Sequence, residues 1–222
     1  MVALAETTHA TLATSWDSDT LSTVIADANA NGVTVSHTFT DLDPAGINGV
    51  DVRLNISGGY NGDLYGYLVL QNANGSSATA ILLNRVGTSG SDPFGSTGSG
   101  FNVTLSDGGS ADIHGATGNP TGTWLADQYA GANSLNSTFS GMTANGTWTL
   151  FLADLSAGGG QSTLLGWGLD VSVVPEPTTW GLVMFGGGLA IAGIFRIRIV
   201  QRKISRKMSN WWSALEAWVN AV

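Results

Sequence analysis

Apolar and polar residues alternate with a period of two in three long stretches of this chain. In "VDVRLNIS", Val50, Val52, Leu54 and Ile56 alternate with Asp51, Arg53, Asn55 and Ser57. That pattern predicts a strand with one buried and one wet face. "TWTLFLAD" sets Trp148, Leu150 and Leu152 on one side, and "GWGLDVSV" sets Trp167, Leu169, Val171 and Val173 on one side. Shorter runs lie at 33–40, 64–70, 80–83 and 101–105, separated by turn clusters such as Asn61-Gly62-Asp63, Asn74-Gly75 and Asp107-Gly108-Gly109. Short strands at this spacing, with no long helix between them, predict an all-β, antiparallel β-sandwich over residues 33–173. Before it, an N-terminal segment over 6–32 includes 17–30, which predicts a brief helix with caps at Ser18 or Asp19 and a stop at Gly32.

The pattern changes after residue 173. Pro175 and Pro177 oppose helix, since each lacks an N–H and biases its predecessor towards extended geometry. From 180 to 195 no charge interrupts the chain, and a helical run of that length rises roughly 24 Å. Thr178 and Thr179 on one side, and Ile197, Ile199 and Val200 on the other, bring it near the ~30 Å hydrocarbon thickness. A buried core helix is the other reading of such a run. The cations that follow, Arg196, Arg198, Arg202 and Lys203 and then Arg206 and Lys207, favour one C-terminal transmembrane helix with its basic end cytoplasmic. Beyond it, Ile204, Met208, Trp211, Leu215, Trp218 and Val222 recur in steps of three and four. Residues 204–222 therefore predict a short amphipathic helix suited to a membrane interface or to packing on a partner.

Charge divides at the same place. Residues 1–173 carry 14 acidic residues against Arg53 and Arg85, a net of −12, whereas 174–222 net +4. The acidic body excludes nucleic acid as a partner, because phosphates need a basic face. Cysteine is absent, so no disulfide or thiolate site exists.

Val174-Pro175-Glu176-Pro177, a glycine-containing apolar run and an arginine cluster, in that order over 174–203, resemble the PEP-CTERM sorting signal. The resemblance implies an exosortase-like sorting enzyme as partner in the inner membrane of a Gram-negative bacterium, acting near the Pro-Glu-Pro. It implies a body delivered to the cell surface or an extracellular matrix, with exopolysaccharide or surface proteins as eventual partners. Such tails normally end soon after the basic residues, and this one continues.

The body also resembles a known family. Asp41, Asp43, Pro44 and Gly46 form an Asp-x-Asp-Pro-x-Gly entry, and Gly62-Asp63-Leu64 ends the next strand. Gly146, Trp148, Leu150 and Asp154, followed by Trp167 and Leu169, give a Gly-x-Trp-x-Leu and a late Trp-x-Leu. Together these are similar to the P domain of furin- and kexin-like proteases, which implies a jelly roll of about eight strands. The usual histidine before Gly-Asp-Leu is glycine in "SGGYNGDL", and the usual Ser-Pro-x-Gly-Thr turn is "QNANGSS".

Candidate chemistry is sparse. Gly87-Thr88-Ser89 and His114-Gly115 have a superficial likeness to subtilisin motifs, but Ser89 precedes His114 and is followed by breakers where a nucleophile's helix should start. No catalytic centre is expected. Asp41, Asp43 and Asp63, with Asp107, Asp112 and Asp154, fall at strand ends or loops and offer the oxygen donors that Ca²⁺ takes. A solvated acidic surface is the alternative reading. At the start, Ala3-Leu4-Ala5 has the small-x-small form of a signal-peptidase site, so residues 1–5 read as the remnant of a longer export signal. The expected whole is a non-catalytic exported surface or matrix protein, and the alternative is a membrane-anchored accessory domain that binds a protease or carbohydrate.

Overall fold

A computed structural model describes residues 12–174 other than 19, 129, 130 and 132, together with Met208. The described residues form two sheets. The strands are β1 (Leu12–Ser18), β2 (Thr23–Ile25), β3 (Asn29–Phe39), β4 (Gly46–Gly58), β5 (Leu64–Asn72), β6 (Ser77–Asn84), β7 (Gly100–Leu105), β8 (Thr121–Trp124), β9 (Gly146–Asp154) and β10 (Ser162–Val174). One sheet has the order β1-β10-β4-β7-β8, with β2 also paired to β10, and the other has the order β3-β9-β5-β6. A single helical turn, α1 (Leu135–Phe139), and 3-10 turns at Asn61–Asp63 and Ile113–Gly115 complete the described elements.

The period-two alternation explains the layering. Val50, Val52, Leu54 and Ile56 of β4 are all buried, as are Trp148, Leu150 and Leu152 of β9 and Trp167, Leu169, Val171 and Val173 of β10. These inward faces meet in one core, where Phe139 of α1 lies 5.1 Å from Trp148 between ring centroids. Trp148 keeps its indole N–H satisfied inside, donating to the Ala144 carbonyl at 3.0 Å. His37 is a core-edge residue: its ring stacks on Trp16 at 4.0 Å and meets Phe39 edge-on at 4.5 Å. Burial there lowers its pKa, as expected for a cation losing water.

Three expectations need correction. Residues 17–30 contain the end of β1, all of β2 and the start of β3, and no helix. Ser162–Leu164 of β10 pairs with Thr23–Ile25, whose β-branched residues suit a strand, and this pairing overrides the local helix signals. The strand ladder accordingly begins at Leu12, ahead of the predicted start at 33. The sandwich is also not wholly antiparallel, because β7 and β8 pair in parallel. The intervening segment, through the turn at Ile113–Gly115, returns the chain to the starting end of β7. Finally, the described strands number ten, against about eight implied by resemblance.

Long-range polar ties hold the loops. Asn61 is fully buried; its amide donates to the Gly100 (3.2 Å) and Gly118 (2.9 Å) carbonyls and accepts from Gly100 N–H at 2.9 Å. On the outer face of the first sheet, Arg53 of β4 reaches across β10, pairing with Asp170 and with Asp17 of β1 at 2.7 Å. Its other nitrogen donates to the Trp16 carbonyl at 2.9 Å. Arg53→Ala is expected to cost about 1 kcal/mol or less, since the group is partly hydrated. A fall in the urea midpoint that shrinks with added salt checks this.

Candidate functional site

The segment expected to serve as a sorting signal, Val174-Pro175-Glu176-Pro177, starts where the sandwich ends. Val174 is the last residue of β10 and pairs with Gly46, while Val173 pairs with Leu12 on the other side. The chain divides into two units between Glu176 and Pro177, the sandwich lying in the first. Pro175, Glu176, Pro177 and the basic stop Arg196, Arg198, Arg202 and Lys203 lie outside the described residues, as does the expected membrane run. No helix among the described residues is long and apolar enough to cross a membrane.

Of the aspartates that offer donors for Ca²⁺, Asp63 and Asp154 meet, but Asp41 and Asp43 lie far from them. Asp41 and Asp43 follow Phe39, which pairs with Gly146 at the start of β9, whereas Asp63 precedes Leu64, which pairs with Asp154 at its end. Roughly 27 Å of strand separates those ends. Asp43 accepts from Ala45 N–H at 2.9 Å, and Asp41 accepts from the Thr40 hydroxyl at 2.9 Å. Asp107 caps α1 by accepting from the N–H groups of Leu135 and Asn136, each at 3.0 Å. Asp112 accepts from His114 N–H and Gln128 N–H. These are structural roles that hold loops. Among the described residues no three acidic or histidine side chains are placed to hold a metal. Asp41, Asp43 and Asp63 therefore do not make one Ca²⁺ site.

Asp63 and Asp154 form an acidic group with Asp27 at the β9 end. Asp154 is fully buried, and one of its oxygens accepts from Ser156 N–H at 3.2 Å and Ala28 N–H at 3.4 Å. Its Oδ2 is buried without a hydrogen-bond partner, and so is Oδ1 of Asp27. Asp63 stands nearby, with Arg85 at 3.9 Å as its countercharge. Burial first, and then the charge of Asp154, raise the Asp63 pKa against the opposing pull of Arg85. Burial and the charge of Asp27 raise that of Asp154. The sequence could not show this group, because Asp27 and Asp154 meet only through the pairing of β3 with β9.

The second buried cluster surrounds His114. Its Nδ1 lies 2.9 Å from Oδ2 of the fully buried Asp127, and its Nε2 lies 2.8 Å from the Thr88 carbonyl. The backbone adds a third tie, with Gly87 N–H donating to the His114 carbonyl at 2.7 Å. A carboxylate and a carbonyl both only accept, so the site satisfies both ring nitrogens best when each donates, which favours the imidazolium form. Burial pulls its pKa down, but the bonds to Asp127 and Thr88 and the charges of Asp127 and Asp112 outweigh it, leaving the pKa raised. Thr88, Ser89, Ser96 and His114 line an open pocket of about 330 Å³. Ser89 Oγ there meets Ser91 Oγ at 3.1 Å and accepts from Asp92 N–H at 3.0 Å. The cluster works as a clasp: it fastens the 85–96 loop onto the 3-10 turn at Ile113–Gly115. Sequence reading singled out His114 and Ser89 but had no signal for Asp127.

No protein-family model matches the chain, and no curated protein matches it. Among solved structures it is similar to the serine protease of Aeromonas sobria, at 17% identity over 74% of this chain and 27% of that one, with a TM-score of 0.45. The complex of that protease with the chaperone ORF2 gives 15% identity, 74% and 27% coverage and a TM-score of 0.44. The VP2 subviral particle of infectious bursal disease virus gives 11% identity, 75% and 33% coverage and a TM-score of 0.41. This chain spans a third or less of the length of each. At such identities and scores the likenesses carry no argument about activity or partners.

Proposed function

We propose that this chain is a non-catalytic exported surface or matrix protein, in which a P-domain-like sandwich is sorted by an exosortase-like enzyme through Val174-Pro175-Glu176-Pro177. The observation that carries this reading is the adjacency of fold and motif. β10 is paired on both sides up to Val173 and Val174, and Pro175 follows at once. A cut at or after Pro175 would leave every described strand intact, so the body could be released without unfolding. The apolar run and cationic stop that follow supply a membrane hold during sorting, with the acidic body outside. In this reaction the protein is the substrate, and residues 174–177 are recognised rather than catalytic.

The test is mass spectrometry of native material from producing cells. The expected result is a mature C-terminus within a few residues of Glu176, lost when Pro175 and Glu176 are both replaced by alanine. The amphipathic pattern over 204–222, unusual beyond such a signal, favours a second reading: a stably anchored accessory domain that binds a protease or carbohydrate. Recovery of intact chain through Val222 from purified envelopes would select that reading and overturn the first.

A further inference from the structure

The two outer faces of the sandwich differ in chemistry. On the first sheet, Asp17, Arg53 and Asp170 form an ion-pair network. The second sheet is different: β3, β5, β6 and β9 together contain one charged residue, Asp154, which is buried at one end, and one histidine, His37, which stacks on Trp16 at the core edge. A body with a net charge of −12 thus keeps one broad face neutral.

What occupies that face is ordered. Tyr67 and Phe151, opposite each other on β5 and β9, stack at 4.6 Å with their planes 14° apart, and Tyr65 meets Tyr67 edge-on at 6.1 Å. Phe151 also covers β3, where a Cβ at Gly32 would lie 2.6 Å from its ring. Further along β3 and β9 the hydroxyls pair across the strands: Ser36 with Thr149 at 2.9 Å and Thr38 with Thr147 at 3.0 Å. Both pairs are on the exposed side. Each hydroxyl pair uses one donor internally, which leaves a second donor and further lone pairs directed outward. Successive rows repeat every two residues, about 7 Å, and neighbouring strands about 5 Å.

We propose that this face binds an uncharged polysaccharide. An apolar protein partner laid on it would bury hydroxyls without giving them hydrogen bonds, at a cost for each. A strongly charged partner would find no countercharge. A neutral glycan answers both conditions. Its hydroxyls donate and accept like those of Ser36, Thr38, Thr147 and Thr149, and its apolar C–H faces suit the aromatic end at Tyr65, Tyr67 and Phe151. Rows of hydroxyls and rings that repeat across the strands fit an extended polymer rather than a single small ligand, which prefers a concave pocket.

This deepens the proposed function by naming what an exported matrix protein would hold. Glycan binding is read on purified protein and the processed terminus in cells, so either can fail alone. The test is native affinity electrophoresis of the full chain in gels containing hydroxyethylcellulose, xyloglucan, a soluble β-1,3-glucan or dextran, with pull-down on insoluble cellulose and chitin. The expected result is retardation or capture by at least one of these glycans, reduced tenfold or more by Tyr67→Ala and by Ser36→Asp, and unchanged by Asp51→Asn on the opposite sheet. Ser36 is exposed at the surface, so Ser36→Asp reads the face even where Tyr67→Ala perturbs folding. Absence of binding across the whole panel would overturn the proposal. So would binding indifferent to both variants, or sedimentation showing that Ser36→Asp instead breaks a dimer.

Discussion

His114→Ala is expected to lower the melting temperature by roughly 6–12 °C, the consequence of losing about 3 kcal/mol in a domain of this size. The substitution removes the imidazole from the fully buried Asp127, which keeps the Asn84 N–H bond at 2.9 Å, and breaking a buried pair costs more than the pair contributes on balance. It also frees the Thr88 carbonyl and loosens the 85–96 loop. The effect carries a pH signature whose sign follows from the raised His114 pKa. A cation favoured by the fold contributes fully below the unfolded value of about 6.5, and its contribution fades as pH rises through the higher folded value. The difference between wild type and variant should therefore be largest near pH 6 and shrink toward pH 9. Urea melts across that range check it, and a penalty constant with pH would show that the ring is not held as a cation.

The clasp also marks where sequence reading stops. β4, β9 and β10 were legible because each alternates apolar and polar residues against a single core, and β3, β5, β6 and β7 as short apolar-rich runs bounded by turn clusters. β1 and β2 were not. "LATSWDS" carries only a faint alternation, and Thr23–Ile25 is three residues long beside helix-capping signals. Both become strands because β10 offers an unpaired edge more than 130 residues later. β8 has only four residues and follows a parallel crossover that no local pattern encodes. The resemblance to a sorting signal rests on contiguous residues, 174–203, so it needs no tertiary information to be drawn. The Asp127–His114 and Asp27–Asp154 groups could not be read, since distant segments bring them together. Asp41, Asp43 and Asp63 show the reverse case: aspartates at predicted turns offer either a ligand set or a solvated acidic surface, and the register of β3, β5 and β9, which sends them to opposite ends, favours the second.

Asp154→Asn is expected to stabilise the protein. The wild-type carboxylate is fully buried beside Asp27 and Asp63, and its Oδ2 has no hydrogen-bond partner. An unsatisfied buried group of this kind costs about 1–3 kcal/mol. Asparagine keeps an oxygen to accept from Ser156 and Ala28 N–H, removes one negative charge, and places an amide donor close to Asp27, whose Oδ1 also lacks a partner. A gain of about 1–2 kcal/mol corresponds to roughly 2–8 °C in melting temperature. The pKa of Asp154 is raised, so its carboxyl favours the folded state when protonated. That contribution is present below the unfolded value of about 3.9 and is lost as pH rises through the higher folded value. The advantage of asparagine should thus be clear at pH 7 and vanish toward pH 4. Asp63→Asn should gain less, because Arg85 at 3.9 Å already offsets part of that charge. Differential scanning calorimetry of both variants at the two pH values separates these outcomes. A fall in melting temperature for Asp154→Asn at pH 7 would mean that the ionised carboxylate meets a countercharge, and would refute the account of an uncompensated acidic group.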